Sequence, residues 1–237
     1  MWQWFRNNRR KKILATPFSS EWESHIQNNI PYYQYLNPEE KKRLKDLIQI
    51  FIAEKSWLGC NGLVLTDEIR VMIAAHACLM ILALPNDYYR NVESIYVYPS
   101  TIFPPENSAG FFEIRTTPMQ GAMPILGEAH HRGPVILVWD VVKKETRHPE
   151  HGHNVVYHEF AHKLDMLDGS ADGTPLLTTP EEYQRWVDVC SKEYLELCKK
   201  VDHGKPVFFD SYAATDEAEF FAVVTEYFFC KPENMKH

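Results

Sequence analysis

Val155-Val156-Tyr157-His158-Glu159-Phe160-Ala161-His162-Lys163-Leu164-Asp165 is the stretch from which the rest of the chain is best read. Its apolar residues recur at helical spacing and Leu167 continues the stripe, so residues 154–167 are predicted to form a buried helix. At 3.6 residues per turn His158 and His162 fall on one face about 6 Å apart along the axis, and both imidazoles can reach a single ion. Zinc accepts two nitrogens so arranged, and the spacing leaves Glu159 beside a water that such an ion would activate. H-E-x-x-H also arises by chance. An amphipathic helix, however, does not ordinarily place two histidines and a glutamate among apolar neighbours unless something offsets their desolvation.

A third ligand decides the class of site. One zinc pattern, H-E-x-x-H-x-x-G-x-x-H/D, puts a glycine at position 165 and the ligand at 168, where this chain has Asp165 and Asp168. Asp168 fits, but without the glycine the helix cannot turn back at once. Asp165 stays on the histidine face, either as an acceptor for a histidine N–H or as a solvated residue. Asp168 then belongs to the Asp168-Gly169 turn. The better candidate is Glu219, within Glu217-Ala218-Glu219-Phe220-Phe221-Ala222-Val223-Val224-Thr225-Glu226. That segment is apolar nearly all round, so an acid inside it calls for a cation opposite. Glu226 lies seven residues on along the same face. It either supports a histidine from behind, competes with Glu219 as ligand, or turns to solvent.

Working outward, Asn37-Pro38-Glu39-Glu40 reads as a helix cap, a first-turn proline and acids at the positive helix end, with a helix over residues 38–55. A turn at residues 59–62 follows. Thr66 starts a second helix with Ile69, Met72, Ile73, Met80 and Ile81 as its buried stripe, and Pro85 ends it. His76 and Cys78 lie inside this apolar helix and read as core residues, His76 hydrogen-bonded. Residues 94–98, 111–115 and 135–139 read as short strands and residues 117–126 as an irregular connection. Helices return at 180–200 and 216–229. The order helices, strands, helices predicts an α+β fold with an N-terminal helical portion, a small mixed sheet and a C-terminal helical part.

The 237 residues suit one domain, with residues 1–20 expected to be a flexible basic tail carrying Arg6, Arg9, Arg10, Lys11 and Lys12. Hydrophobic residues are 45% and charged residues 24%, the balance of an ordinary globular chain. A formal charge of −7 with scattered lysines argues against nucleic acid as a direct partner. No run approaches the roughly 18 apolar residues of a membrane span, and only three apolar residues follow the basic head, too few for an export signal. Trp2, Trp4 and Phe5 beside the basic residues suit at most a weak surface contact. Five cysteines without a C-x-x-C pair read as reduced thiols, and the expected location is cytoplasmic.

Leu65-Thr66-Asp67, Ala74-Ala75, Tyr98-Pro99, Gly133-Pro134-Val135-Ile136-Leu137 with Trp139, His158 to Asp165, and Glu219-Phe220-Phe221-Ala222-Val223 together resemble the Mlc titration factor A family. These are bacterial zinc peptidases of the gluzincin type, and the catalytic part of anthrax lethal factor is similar in its motifs. The resemblance implies a zincin-like metallopeptidase fold, one zinc on His158, His162 and Glu219, and Glu159 as the base that activates water. It also implies Tyr212, seven residues before Glu219, as the phenol that stabilises the oxyanion. It puts an acid at Asp210 without assigning it a role, and residues 135–139 at a sheet edge where a peptide substrate adds as a strand. The implied activity is hydrolysis of small peptides, as an aminopeptidase, with sequestration of an Mlc-like transcriptional repressor of glucose uptake as the alternative. Family members usually continue for some tens of residues past Lys231-Pro232-Glu233.

Overall fold

Each predicted cap closes a helix in the computed structural model, which describes residues 2–84, 89–100 and 133–236. The helices are α1 (Trp2–Leu14), α2 (Ser20–Asn29), α3 (Pro38–Glu54), α4 (Asp67–Met80), α5 (Trp139–Arg147), α6 (Val155–Asp165), α7 (Pro180–Asp202) and α8 (Glu217–Cys230). At α3 the Glu40 N–H donates to Asn37 Oδ1 and the Asn37 N–H to Glu40 Oε2, both at 2.9 Å, a reciprocal capping box. Thr66 caps α4 and Asp216 caps α8 through N–H groups three residues on. Among the described residues α4 ends at Met80, short of the expected stop; Pro85 lies outside them, as do residues 111–115 and 117–126.

Three strands, β1 (Ser56–Gly59), β2 (Ser94–Tyr98) and β3 (Val135–Val138), form a sheet in the order β1-β2-β3. Trp57 pairs with Ile95 and Ile95 with Val135, and both ladders are parallel. The described sheet is therefore parallel where a mixed one was expected. β1 falls where only the end of a helix and a turn were read, because four residues with one glycine give no period-two signal. Parallel neighbours need a crossover, and α4 supplies it between β1 and β2. This explains why α4 is buried over almost its whole surface, with Val71, Ile73, Ala74, Ala75 and Ala77 all at 0% exposure. Trp139, expected to end the third strand, begins α5 instead. The described residues are mainly helical with one small sheet, consistent with the α+β class.

The N-terminal segment is a helix, not a solvated tail. Arg10 makes a bidentate ion pair with Glu54 of α3, at 2.8 and 2.6 Å, and Arg9 Nη2 donates to Ala53 O at 3.2 Å. Such paired charge-assisted bonds dock a helix that has almost no apolar stripe, which is why periodicity did not find it.

The core centres on an aromatic cluster. Phe160 of α6 lies 5.7 Å from Phe51 of α3 and 4.9 Å from Tyr89, centroid to centroid, and all three are essentially buried. Tyr89 is secured by its O–H donating to Ala77 O at 2.8 Å. His76 is a core residue as expected, with Nδ1 against Met72 O at 2.8 Å, and burial pushes its pKa down to about 4. Phe160 sits about 200° around α6 from His158, so driving it into the cluster turns both histidines away from the core.

Phe160→Ala empties the centre of this cluster. It is expected to lower stability by about 3–5 kcal/mol in urea unfolding. Combined with Phe51→Ala, the loss should be less than the sum of the single losses, because the two rings share one space.

Candidate metal centre

Asn154 starts α6 by accepting the N–H groups of Val156 and Tyr157 on Oδ1, both at 3.1 Å. One and two turns on, His158 and His162 project from the face opposite Phe160, their Nε2 atoms 3.2 Å apart. α8 packs along α6 and brings Glu219, in its first turn, over the pair. Glu219 Oε2 lies 3.1 Å from His158 Nε2 and 3.6 Å from His162 Nε2. The three ligand atoms lie within 4.8 Å of one another, the one such grouping of metal-ligating side chains among the described residues.

The chemistry of this donor set fits a divalent cation. Glu219 Oε2 is buried and, despite the short contacts, has no hydrogen-bond partner among the described residues. An unpartnered carboxylate oxygen buried between two imidazoles is costly unless a cation accepts all three lone pairs. The three groups are also coupled electrostatically. Burial would raise the Glu219 carboxyl, but the two histidines outweigh it and hold it well below the ordinary carboxylate range. Burial would likewise depress His158, yet Glu219 and Glu226 hold it well above the ordinary histidine value.

Glu226 lies behind His158 rather than beside the other ligands. Its Oε1 accepts from His158 Nδ1 at 2.8 Å and its Oε2 from the Asn154 N–H at 2.6 Å. This fixes the tautomer that leaves the His158 Nε2 lone pair facing Glu219. Asp165 takes neither of its expected roles. It is fully buried and accepts the Gly173 and Thr174 N–H groups at 3.1 and 2.9 Å, tying the following loop to the end of α6. Asp168 is exposed, accepts from the Ser170 N–H, and belongs to the turn at Gly169.

Glu159 is half-buried and follows His158 on α6, and its charge bears on His158, Lys163 and Tyr212. Tyr212 sits on a 3-10 turn, Ser211–Ala214, with its ring 6.2 Å from that of His158. Burial first, then the Glu219 carboxylate, push its phenol far above the ordinary tyrosine value, so it stays a hydrogen-bond donor. Asp210, without a role in the sequence, begins that turn: its Oδ1 accepts the Tyr212 N–H at 2.8 Å. Two further residues went unread. His153 lies between Asp210 and Glu226, at 3.6 and 4.0 Å. Lys163 is 4% exposed and donates to Gly133 O at 3.2 Å, just before β3. Its spacing of four from Glu159 was the available signal. β3 itself packs against α6 and, like β1, is an edge strand of the described sheet.

Two histidines one turn apart on a helix, faced by a glutamate of a second helix, form a group that could hold a single metal ion. The chain belongs to the glucose-regulated metallo-peptidase M90 family, whose sequence signature matches residues 2–237. An uncharacterized protein of Synechocystis is 35% identical, over 97% of this chain and 82% of the relative. The Mlc titration factor A proteins of Serratia proteamaculans and Klebsiella pneumoniae are each 30% identical. They match 98% and 86% of this chain and 85% and 76% of their own lengths.

Glu226→Ala strands two donors, the Asn154 N–H and His158 Nδ1–H, in a buried setting. The expected loss of stability is about 2–4 kcal/mol, read as a lower urea midpoint with unchanged slope, and Glu226→Gln, which keeps one acceptor oxygen, should cost about half of that.

Proposed function

We propose that this chain is a zinc-dependent peptidase with a zincin-like fold of the gluzincin type, in which His158, His162 and Glu219 hold the metal. The observation that carries the reading is the convergence of those three ligand atoms around an unpartnered buried carboxylate oxygen, with Glu159 alongside. His158, His162 and Glu219 would hold a zinc ion there, which would supply Lewis acidity toward the scissile carbonyl and the attacking water. Glu159 takes the proton of the attacking water and returns it to the leaving amine. Tyr212 donates its O–H to the developing oxyanion, and Asp210 holds the turn that carries it. Glu226 keeps His158 in the tautomer the metal needs. A short peptide adds along β3 as an extra strand, presented to the site as an aminopeptidase substrate. Among the described residues no helix is long and apolar enough to cross a membrane. The location proposed is the cytoplasm.

A regulatory reading stands beside the catalytic one. The relatives named Mlc titration factor A favour binding of an Mlc-like transcriptional repressor, in addition to catalysis. The Glu159 carboxylate favours the enzyme, because a pure binding module would need the ligand scaffold alone.

Purified protein should carry about one zinc per chain, and His158→Ala with His162→Ala should lose both metal and activity. Glu219→Ala should weaken zinc binding far more than Asp168→Ala; the reverse order would reassign the third ligand. With zinc retained, Glu159→Gln should lower kcat by roughly 100-fold or more, and Tyr212→Phe should cost about 2–4 kcal/mol at the transition state, mostly in kcat. An unchanged kcat in Tyr212→Phe would remove the phenol from the mechanism.

The two readings separate in a pull-down with a purified Mlc-like repressor. Wild type and Glu159→Gln should capture it equally while only wild type cleaves peptides. Failure of both to capture it removes the regulatory reading.

A further inference from the structure

α1 presents a face whose chemistry none of the site accounts for. At about 100° per residue, Trp4, Phe5, Lys11 and Lys12 fall within an arc of about 120°. Arg10, which docks α1 on α3 through Glu54, lies on the opposite side of the helix. Trp4 and Phe5 are 62% and 60% exposed and stack edge to face at 5.0 Å, and both lysines are exposed. The helix carries five basic and no acidic residues in a chain whose net formal charge is −7. Two large rings held in water at one end of a face and two ammonium groups at the other are ill-suited to bulk solvent. An anionic bilayer surface accommodates both at once, the rings at the headgroup boundary and the lysines against the phosphates.

We infer that α1 is a peripheral docking face for anionic lipid surfaces. Charge decides the orientation: such a surface attracts α1 and repels the remainder of an acidic chain, so the protein attaches by this helix alone. The docking to α3 matters because a helix already formed does not have to be ordered on contact, as a disordered basic tail would. Two aromatic and two basic groups make a reversible contact, well short of insertion. An acidic protein surface would satisfy the lysines but would need a pocket for two side-by-side rings, and the rings here project from a convex helix. The bilayer is therefore the occupant the face fits.

The test is co-sedimentation of the full chain with vesicles of phosphatidylcholine alone or with phosphatidylserine, at about 0.1 M and about 0.5 M salt. Binding to the phosphatidylserine vesicles that weakens at the higher salt, with little on neutral ones, is the expected result. Lys11→Gln with Lys12→Gln should lower the partition constant roughly 30-fold, and Trp4→Ala with Phe5→Ala at least about tenfold. Helical content and thermal midpoint should stay at the wild-type values, since all four residues are exposed. Lys11→Glu with Lys12→Glu should abolish sedimentation. Equal binding to neutral vesicles, no binding to either, or unchanged binding in the charge variants would overturn the inference. Capture by immobilised poly-glutamate without vesicle binding would overturn it too, in favour of an acidic protein partner. Peptidase activity enters none of these readouts.

Discussion

The carboxylate of Glu226 joins the two helices on which everything at the site depends. One oxygen accepts the Asn154 N–H at the start of α6 and the other accepts His158 Nδ1 four residues on. Because both bonds are buried and both are accepted by a carboxylate, each is at the strong end of the range for such contacts. Together they fix the register of α8 against α6. Glu219, two turns earlier on the same face of α8, then has to meet His158 and His162. The geometry of the metal centre follows from a hydrogen bond made outside it.

What that register assembles is unfavourable by itself. Two imidazole nitrogens and a carboxylate oxygen converge in a partly buried space, and Glu219 Oε2 has no hydrogen bond to offset its loss of water. The stable surroundings explain why such a cluster persists. Phe160 is locked among Phe51 and Tyr89, Asp165 ties down the loop after α6, and Asp216 caps α8 beside Glu219. A core with little freedom to relax holds the three side chains in place, and a cation bound among them would contribute to the stability of the fold.

Much of this was legible because it is local. α3, α4, α7 and α8 each begin at a side chain that caps the helix, and the apolar spacing behind each cap gives its buried face. The motif in α6 gives two candidate ligands by spacing alone, and the burial of an acid in an apolar segment points to Glu219, the side chain that the structure brings beside them. What was not legible rests on partners distant in sequence. α1 is held by Arg10 reaching Glu54, and β1 exists through pairing with β2. Asp165 and Lys163 are satisfied by backbone groups of loops whose path no periodicity describes. The sheet was expected to be mixed because three short strands say nothing of direction, whereas the crossover through α4 makes the described pairs parallel. Tyr212 came only from resemblance. Its position is set by Asp210 and a 3-10 turn, a device too short to leave a pattern.

The residues that sequence reasoning passed over share one property: each links a chemical group to the frame. Asp210 connects the Tyr212 turn to His153, and His153 approaches Glu226, which holds His158. Lys163 connects α6, one residue past His162, to the backbone at Gly133 before β3. The phenol, α6 and the start of β3 are thus tied to one another by polar contacts as well as by the apolar core. Apolar packing tolerates small sliding, because dispersion is shallow and without direction, whereas hydrogen bonds and close charge pairs have definite distances. Placing polar groups relative to one another calls for the second kind of contact, and here Asp210, Glu226 and Lys163 supply it.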